Sequence, residues 1–237
     1  MRAMIFAAGL GTRLYPITKD KPKALAPFAS TTLLAYNLQF LASEGVSEFV
    51  INTHHFWQKI SEYLEQNNNF GLNITISHEE ILLDTAGGLA KARKYFGENE
   101  DILLYNVDVI CNIDIQKMYS YHKAHKASAT LAIRKRATSR YFLFNNQNLL
   151  KGWVNKNTQE VKSCQEDISD FEEYAFSGIH IINTDLIKDI KQEKKSITPF
   201  YLQEACSKTI IGYKHNDDSW FDCGKIETLK KAESSIL

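Results

Sequence analysis

Apolar runs of strand length alternate with helix-like segments through the first half of the chain, and this alternation constrains the fold most. Residues 4–8, 48–53 and 102–107 are short apolar runs, as buried strands are. Between the first two runs, Leu34 and Leu38 recur at helical spacing. Strands that alternate with helices form mostly parallel, doubly wound sheets, which bind ligands beyond the carboxyl ends of their strands. The sequence therefore predicts an α/β, Rossmann-like fold.

The pattern changes after residue 126. The following segments are mainly strand-like and are joined by polar loops, which predicts a β-rich subdomain that covers the sheet. Short helices are predicted over residues 186–193 and 199–207, followed by a strand and a closing helix. Neither an internal repeat nor a low-complexity linker is visible, so residues 1–237 are interpreted as one domain. Its predicted parts are a core (1–126), a lid (127–183) and a closing segment (184–237).

A glycine loop follows the first predicted strand. Gly9 and Gly11 lie just after the apolar run, Arg13 follows them, and Lys23 precedes the next apolar stretch. Glycines let backbone N–H groups approach a ligand, and two separate cations can neutralise a polyanion at two points. The loop is not a dinucleotide fingerprint because Leu14 replaces the third glycine, and it is not a P-loop because no lysine follows Gly11. A phosphate site of another kind is predicted.

The charge balance excludes several classes of partner. The 237 residues include 28 basic and 28 acidic ones, so the chain has no basic field that would attract nucleic acid or an anionic membrane. No apolar run approaches the length of a membrane span, and no secretory signal is visible. We therefore expect anion binding to be local, with neither nucleic acid nor membrane as a partner.

The four cysteines are far apart in the sequence. Cys111, Cys164, Cys206 and Cys223 form no CxxC pair. This spacing favours free thiols in a reducing cytosol over a zinc site or a disulfide framework. Together with the missing secretory signal, it predicts a cytoplasmic protein.

Five stretches resemble the sugar-1-phosphate nucleotidyltransferases, also called NDP-sugar pyrophosphorylases. The first stretch, from Gly9 to Lys23, fits the family signature GxGTRLxPxTxxxPK. The others are LLDTAGGLAKA, LLYNVDV, FSGIHIIN and WFDCGKIETLKKAE, which extend to residue 233. In length the chain is similar to the N-acetylmuramate α-1-phosphate uridylyltransferases, which lack a left-handed β-helix tail. The resemblance implies the Rossmann-like fold of nucleotide-diphospho-sugar transferases.

The resemblance also implies a reaction that depends on Mg²⁺. An NTP, with UTP preferred, would react with a sugar 1-phosphate, N-acetylmuramate or another amino sugar, to give an NDP-sugar and pyrophosphate in peptidoglycan recycling. No Ser-His-Asp or Cys-His spacing argues for a covalent intermediate, so positioning and electrostatics would carry the catalysis. Two alternatives stay open. One is a relative that uses dTTP, GTP or CTP with a glucose, mannose or phosphocholine-like acceptor, and the other is a non-catalytic regulator that binds a nucleotide sugar.

Site residues follow from the resemblance, position by position. Arg13 would hold the leaving β- and γ-phosphates and Lys23 would reach the α-phosphate, so both would be catalytic. The metal ligands would be Asp108 and Asp222, which follow the apolar runs LLYNV and WF. The sugar-binding residues would be Asn106, Ser177 and Gly178. The nucleotide-binding residues would be Ala8, Gly9, Gly11, Thr12, Arg13, Lys23, Thr85, Gly87, Gly88 and Asn106.

Several of these assignments have a purely structural alternative. Gly87 and Gly88 suit either a flat base lying on the backbone or a tight helix start. Asp108 could instead cap the next helix, and Asp222 could start a turn. Gly178 could serve only to allow close packing inside a strand.

Two further features have no single predicted role. The first is a basic run at the end of a predicted strand, which suits either contact with a sugar phosphate or exposure to solvent. It consists of Arg134, Lys135, Arg136 and Arg140. The second is a pair of departures from the family pattern, because Asp84 and Val107 stand where relatives often carry glycine. A β-branched residue such as Val107 could change how the sugar or ribose fits.

Overall fold

The structure, a computed structural model, describes residues 1–236. The strands are β1 (Arg2–Phe6), β2 (Pro27–Phe28), β3 (Thr31–Thr32), β4 (Glu48–Thr53), β5 (Asn73–His78), β6 (Asp101–Asn106), β7 (Val109–Cys111), β8 (Ala129–Arg134), β9 (Arg140–Phe144), β10 (Leu150–Asn155), β11 (Glu160–Ser163), β12 (Glu172–Asn183), β13 (Ile210–Lys214) and β14 (Trp220–Asp222). The helices are α1 (Leu33–Ser43), α2 (Trp57–Gln66), α3 (Asp84–Ala92), α4 (Ile115–Ala124), α5 (Ile197–Glu204) and α6 (Ile226–Ile236). Within residues 1–236, no helix has both the length and the apolar surface that a bilayer span requires.

Ten of the strands form one mixed sheet. In the core, β5, β4, β1 and β6 lie side by side, and each neighbouring pair is parallel. Apolar residues of α1, α2 and α4 pack on one face of the sheet, and those of α3 and α5 pack on the other. This arrangement confirms the predicted doubly wound, Rossmann-like α/β fold. Because β1, β4 and β6 run in one direction, their carboxyl ends meet at one edge.

The lid continues the core sheet. Strand β12 pairs antiparallel with β6 through residues 179–183 and with β9 through residues 172–174. Strands β10 and β11 extend this antiparallel part outward, while β8 pairs with β12 on another side. From the closing segment, β13 pairs parallel with β8. The β-rich subdomain is therefore hydrogen-bonded to the edge of the core sheet and does not lie over it as a separate layer.

Two local predictions differ from the structure. The helix predicted over residues 186–193 is absent; the chain forms a short 3-10 turn at Thr184–Ile187 and then runs beside the start of α3. There, the Lys195 carbonyl accepts the N–H of Ala86 at 2.9 Å, and the Lys195 N–H donates to the Leu83 carbonyl at 3.0 Å. These partners are distant in sequence, so helical periodicity does not reveal them. Strand β11 was missed because its four residues are all exposed and show no apolar alternation.

The prediction of free thiols is wrong for two of the four cysteines. Cys164 follows β11 and Cys206 follows α5, and the two form a disulfide with their Cα atoms 5.4 Å apart. They are 42 residues apart in the sequence, and the packing of α5 against β10 brings them together. Cys111 and Cys223 are free and buried. Spacing alone therefore gave the correct state only for the two cysteines that lie in the core.

Candidate active site

A cavity of about 420 Å³ lies at the carboxyl ends of the parallel strands. Strand β1 leads into Ala8 and Gly9, β4 contributes Asn52, and β6 leads into Asn106 and Asp108. This is the edge at which doubly wound sheets bind their ligands. The residues that line the cavity are Phe6, Ala8, Gly9, Arg13, Lys23, Asn52, Leu82, Asp84, Thr85, Asn106, Asp108 and Lys194.

The cavity brings together six of the ten predicted nucleotide-binding residues and one predicted metal ligand, Asp108. The predicted residues outside its lining are Gly11, Thr12, Gly87, Gly88, Ser177, Gly178 and Asp222. Sequence reasoning missed Phe6, Asn52, Leu82 and Lys194. Asn52 could have been found, because it is a polar residue near the end of a buried strand. Nothing in the sequence shows that Leu82 and Lys194 lie at the strand ends.

Gly11 closes the glycine loop tightly. Its φ of 68° lies in the left-handed region, which glycine adopts without steric cost. The Thr18 hydroxyl donates to the Gly11 carbonyl at 2.8 Å, and a Cβ at Gly11 would lie 2.9 Å from the Cβ of Lys23. The chain then turns through the 3-10 segment Thr12–Leu14. Gly11 and Thr12 therefore shape the loop and bring Lys23 to it, whereas Ala8 and Gly9 face the cavity.

Lys23 and Asp108 form an ion pair inside the cavity. The Lys23 Nζ lies 2.7 Å from the Asp108 Oδ2, and Asp108 is only 8% exposed. A buried carboxylate needs such a charged partner, because removal from water destabilises its ionised form. The cation predicted to reach the α-phosphate and the carboxylate predicted to bind metal are therefore direct neighbours.

Asp222 lies beside Asp108, although the two are far apart in the sequence. Strand β14, which ends at Asp222, pairs antiparallel with β7, which begins just after Asp108. The N–H of Cys223 donates to the Asp108 carbonyl at 2.7 Å. The alternative role of Asp222 is also present, because its Oδ1 accepts the N–H of Gly224 at 2.9 Å in a turn. Asp108, in contrast, does not have its alternative role as a helix cap, because the side chain of Asp114 caps α4.

Arg13 reaches the same point from the glycine loop. A Cβ built on Gly224 would lie 2.6 Å from the Arg13 Nη2 and 2.8 Å from the Asp222 Oδ1. The missing side chain of Gly224 thus leaves room for the guanidinium beside the carboxylate. Burial, together with the nearby carboxylates of Asp108 and Asp222, raises the pKa of the Cys223 thiol to about 12. The thiol is neutral, so the charges at this point are those of Arg13, Lys23 and the two aspartates.

The two aspartates suit a hard divalent cation. Mg²⁺ is usually held by one or two carboxylates together with substrate phosphates and water. Within the described residues, no group of three or more His, Cys, Asp and Glu side chains is arranged to hold a metal ion. An ion held by Asp108 and Asp222 would therefore take its other ligands from substrate phosphates and water. Asp108 is already paired with one cation, the Lys23 ammonium. Asp222 uses only Oδ1 in hydrogen bonds among residues 1–236, which leaves Oδ2 to bind an ion.

A buried polar network supports the cavity from below. The Asn52 Oδ1 accepts the N–H of Ala7 at 2.8 Å, and the Asn52 Nδ2 donates to the Glu79 Oε1 at 2.7 Å. The other oxygen of Glu79 accepts the N–H of Leu83 at 2.9 Å. A Cβ at Gly88 would lie 2.5 Å from the Glu79 Oε1. This network ties the end of β1 to the segment before α3, on the two sides of the cavity.

The structure places Gly87 and Gly88 inside α3, where both are buried. A Cβ at Gly87 would lie 2.1 Å from the Glu193 carbonyl oxygen, so the missing side chain makes room for the segment that packs against α3. The structure contains the tight helix start, and the contact of these glycines with a nucleobase stays a prediction. Thr85 does line the cavity, and its Oγ1 accepts the N–H of Ile197 at 2.8 Å.

The two departures from the family pattern have structural explanations. Asp84 has a φ of 60°, a left-handed conformation that glycine adopts freely and that aspartate tolerates better than most residues. Its Oδ1 accepts the N–H of Thr85 at 2.6 Å. Val107 is buried in the core cluster, and its carbonyl accepts a hydrogen bond from Asn37 at 2.9 Å. Its side chain does not line the cavity.

The predicted sugar-binding residues divide into two groups. Asn106 lines the cavity, and Gly178 makes room for it, because a Cβ at Gly178 would lie 2.6 Å from the Asn106 Nδ2. Gly178 also has a φ of 75°, at an irregularity in the pairing of β12. The Ser177 side chain is 1% exposed and lies 2.7 Å from the His215 Nε2, so it does not face a ligand in this structure. Burial lowers the pKa of His215 to about 4, which makes the ring neutral at pH 7.

The basic run on the lid also separates into different roles. Arg134 donates to backbone carbonyls of Asn216 and Asp218, so its guanidinium ties β8 to the loop before β14. The Lys135 ammonium lies 4.0 Å from the centre of the Tyr174 ring. Arg136 and Arg140, in contrast, line a second cavity of the lid.

Comparison with known proteins identifies the family. The family model described as "Nucleotidyl transferase" matches residues 2–237. The catalytic subunit beta of mannose-1-phosphate guanylyltransferase from Dictyostelium discoideum is 27% identical over 227 residues, which cover 95% of this chain and 61% of that protein. Its counterpart from Xenopus tropicalis is 35% identical over 137 residues, 57% of this chain and 38% of that protein. The chain thus spans less than two thirds of the length of these relatives.

Solved structures support the fold. HddC from Yersinia pseudotuberculosis, in complex with GMP-PN, superposes with a TM-score of 0.81 at 18% identity, covering 100% of this chain and 99% of HddC. A UDP-glucose pyrophosphorylase complexed with UDP-glucose gives a TM-score of 0.78 at 20% identity, covering 99% and 97% of the two chains. The relatives above are named as mannose-1-phosphate guanylyltransferases, so these comparisons support the predicted family and not its narrower N-acetylmuramate branch. The chain belongs to the nucleotidyl transferase family.

Proposed function

We propose that this protein transfers a nucleotidyl group from a nucleoside triphosphate to a sugar 1-phosphate and releases pyrophosphate. One observation carries the proposal: in a chain of this family, Arg13, Lys23 and Asp108 line the strand-end cavity, and Asp222 lies beside them. Two anionic substrates must meet for this reaction, and fixed cations offset their repulsion.

The chain's own groups have distinct tasks in this reaction. Arg13, which lines the cavity from the glycine loop, would hold the departing pyrophosphate, while the Lys23 ammonium would reach the α-phosphate. The ion pair with Asp108 keeps the Lys23 ammonium in the cavity before any substrate arrives. Positioning of this kind avoids a protein nucleophile, because the sugar phosphate itself attacks the α-phosphorus. Asp108 and Asp222 would hold Mg²⁺, which supplies positive charge to the triphosphate oxygens when it is bound.

For the substrates, we propose UTP and the 1-phosphate of an amino sugar, with N-acetylmuramate as the first choice from the family resemblance. We also propose a role in peptidoglycan recycling, which rests on the same resemblance, and a cytoplasmic location, although a disulfide such as Cys164–Cys206 is uncommon in that compartment. A second candidate, GTP with mannose 1-phosphate, is favoured by the names of the relatives.

The decisive experiment is a panel that measures pyrophosphate release from UTP, dTTP, CTP, GTP and ATP, each with several sugar 1-phosphates. We expect the highest kcat/KM with UTP and N-acetylmuramate 1-phosphate. A preference of tenfold or more for GTP and mannose 1-phosphate would replace the first candidate by the second. If no pair reacts while the protein binds a nucleotide sugar, the proposed activity is wrong and a regulatory role remains.

A further inference from the structure

A second cavity, also of about 420 Å³, lies between the lid sheet and α5. Its sheet side carries three cations above an aromatic floor. The cations are Arg136, Arg140 and Lys162, and the aromatic residues are Phe142, Trp153 and Phe176. The opposite wall begins at α5, where Ser196 and Thr198 contribute hydroxyl groups and Leu202 an apolar surface. No Asp or Glu belongs to the lining.

Strand register places these residues on one face of the sheet. Trp153 of β10 lies opposite Phe142 of β9 on one side and opposite Lys162 of β11 on the other. Arg140 is two residues before Phe142, so both side chains project from the same face. The cluster therefore arises from three antiparallel strands, and its members lie far apart in the sequence.

Two of the three cations of this cavity, Arg136 and Arg140, form no ion pair among residues 1–236. Among residues 1–236, the Arg140 side chain makes no hydrogen bond and no ion pair, whereas Lys162 has one exposed partner, Glu160, at 3.0 Å. The Arg136 guanidinium donates to the Phe176 carbonyl at 3.1 Å and stacks 4.6 Å from the centre of the Trp220 ring. Its Nε is buried without a partner. A buried donor without an acceptor costs free energy, so this guanidinium is held in place without all of its hydrogen bonds.

The second cavity adjoins the candidate active site through two backbone segments. Phe176, which forms part of its floor, lies two residues before Gly178, which packs against Asn106 of the first cavity. On the other wall, Ile197 follows Ser196 and donates its N–H to Thr85 of the first cavity. A ligand held at the strand ends therefore has the second cavity as its neighbour on the lid side.

We infer that the second cavity binds an acidic substituent of the acceptor sugar, separate from the 1-phosphate. This inference rests on the proposed function. Three cations without a lining carboxylate select a negative group, and Arg140 can bind a carboxylate through two parallel N–H donors. The aromatic floor provides the apolar surface on which the rest of a sugar substituent packs. A neutral hexose 1-phosphate would leave these cations unmatched.

The test compares acceptors that differ only in this charge. N-acetylmuramate 1-phosphate carries a lactyl carboxylate, and its lactamide has the same size and keeps the 1-phosphate but lacks the negative charge of the carboxylate. We expect the wild-type protein to favour the acid over the amide by at least about tenfold in kcat/KM, as for a charge-assisted contact. Arg140→Gln should lower that ratio about tenfold, and Lys162→Gln should lower it less because Lys162 is already paired. The exposed cation Lys230 on α6 provides the control, since Lys230→Gln should leave the ratio unchanged.

Calorimetric binding of the same two acceptors, without nucleotide, separates this inference from the proposed reaction. One outcome is that no acceptor reacts, but the acid binds at least about tenfold more tightly than the amide and Arg140→Gln removes that preference. This outcome would support the binding site and contradict the proposed reaction. If the acid and the amide are used and bound equally, or if Arg140→Gln leaves the preference intact, the inference is overturned whether or not turnover occurs.

Discussion

The core and the lid are parts of one sheet, yet they present functional residues in different ways. In the core, β1, β4 and β6 are parallel, so their carboxyl ends deliver side chains to a single edge. In the lid, β9, β10 and β11 are antiparallel, and the cations of the second cavity project from strand faces. A polar residue after an apolar run marks the end of a strand in the sequence, whereas a shared face depends on a register that the sequence does not display.

Charge balance differs between the two regions as well. In the core cavity, Lys23 is neutralised by Asp108 at 2.7 Å. In the second cavity, Arg140 has no side-chain partner among the described residues. The core site is therefore held together before its substrates arrive, whereas Arg140 in the lid site would gain a counter-charge from a bound anion. Four predictions test this difference, beginning with the largest effect.

Removal of either aspartate charge should abolish activity. Asp108→Asn and Asp222→Asn should each lower kcat at millimolar Mg²⁺ by at least about 1,000-fold, because the binding of Mg²⁺ depends on the negative charge of the carboxylates. The melting temperature should change little for Asp222→Asn, since the amide oxygen can still accept the N–H of Gly224. Pyrophosphate release and thermal melts measure both quantities. A variant that kept most of its rate and its Mg²⁺ dependence would show that the aspartate serves only the turn or the ion pair.

The loop cations should matter somewhat less. Arg13→Ala and Lys23→Ala should each lower kcat by at least about 100-fold, as expected when a preorganised charge contact is lost. Lys19 is the matched control, because it is an exposed cation of the same loop and does not line the cavity. Lys19→Ala should retain wild-type kcat, and circular dichroism should show an intact fold in all three variants. Near-normal turnover in Arg13→Ala would mean that the loop binds something other than the reacting triphosphate.

Gly178 tests how the lid strand supports the core site. Gly178→Ala introduces both a left-handed alanine, which costs about 1–2 kcal/mol of unfolding free energy, and a clash with the Asn106 side chain. Gly71 has a similar φ of 71° but nothing within 4 Å of its Cβ position, so Gly71→Ala isolates the backbone cost. Denaturant unfolding should show a larger loss for Gly178→Ala, accompanied by a higher KM for the acceptor. Equal losses with unchanged KM would remove Gly178 from the site.

The smallest expected effect is at Asp84. Asp84→Ala should lower the unfolding free energy by about 1 kcal/mol, because the N–H of Thr85 loses its acceptor. Asp84→Gly should lower it less, since glycine relieves the left-handed conformation that aspartate must adopt. Equilibrium unfolding in urea would compare the two variants. Because both variants lose the same hydrogen bond, a larger loss for glycine than for alanine would show that the left-handed conformation at residue 84 does not limit the stability.

These regions also show how far the sequence alone could lead. The alternation of strands and helices predicted the core, and the motif around Gly9 and Arg13 indicated one wall of the cavity. Asn52 and Lys194 were missed because their places depend on long-range packing. The sequence did not show what requires a glycine at position 87, because the Glu193 carbonyl beside it is distant in the sequence.

Strand β12 connects the outer strands of the lid to the core sheet. Its first residues are bonded to β9, its last residues to β6, and β8 pairs with both stretches but not between Phe176 and His180. The pairing of β12 with β8 is therefore interrupted at one place, and this place contains Gly178, which touches Asn106. A tilt of the outer strands at this interruption would therefore shift Gly178 against the Asn106 side chain, so the geometry of the lid is coupled to that of the first cavity through a single glycine.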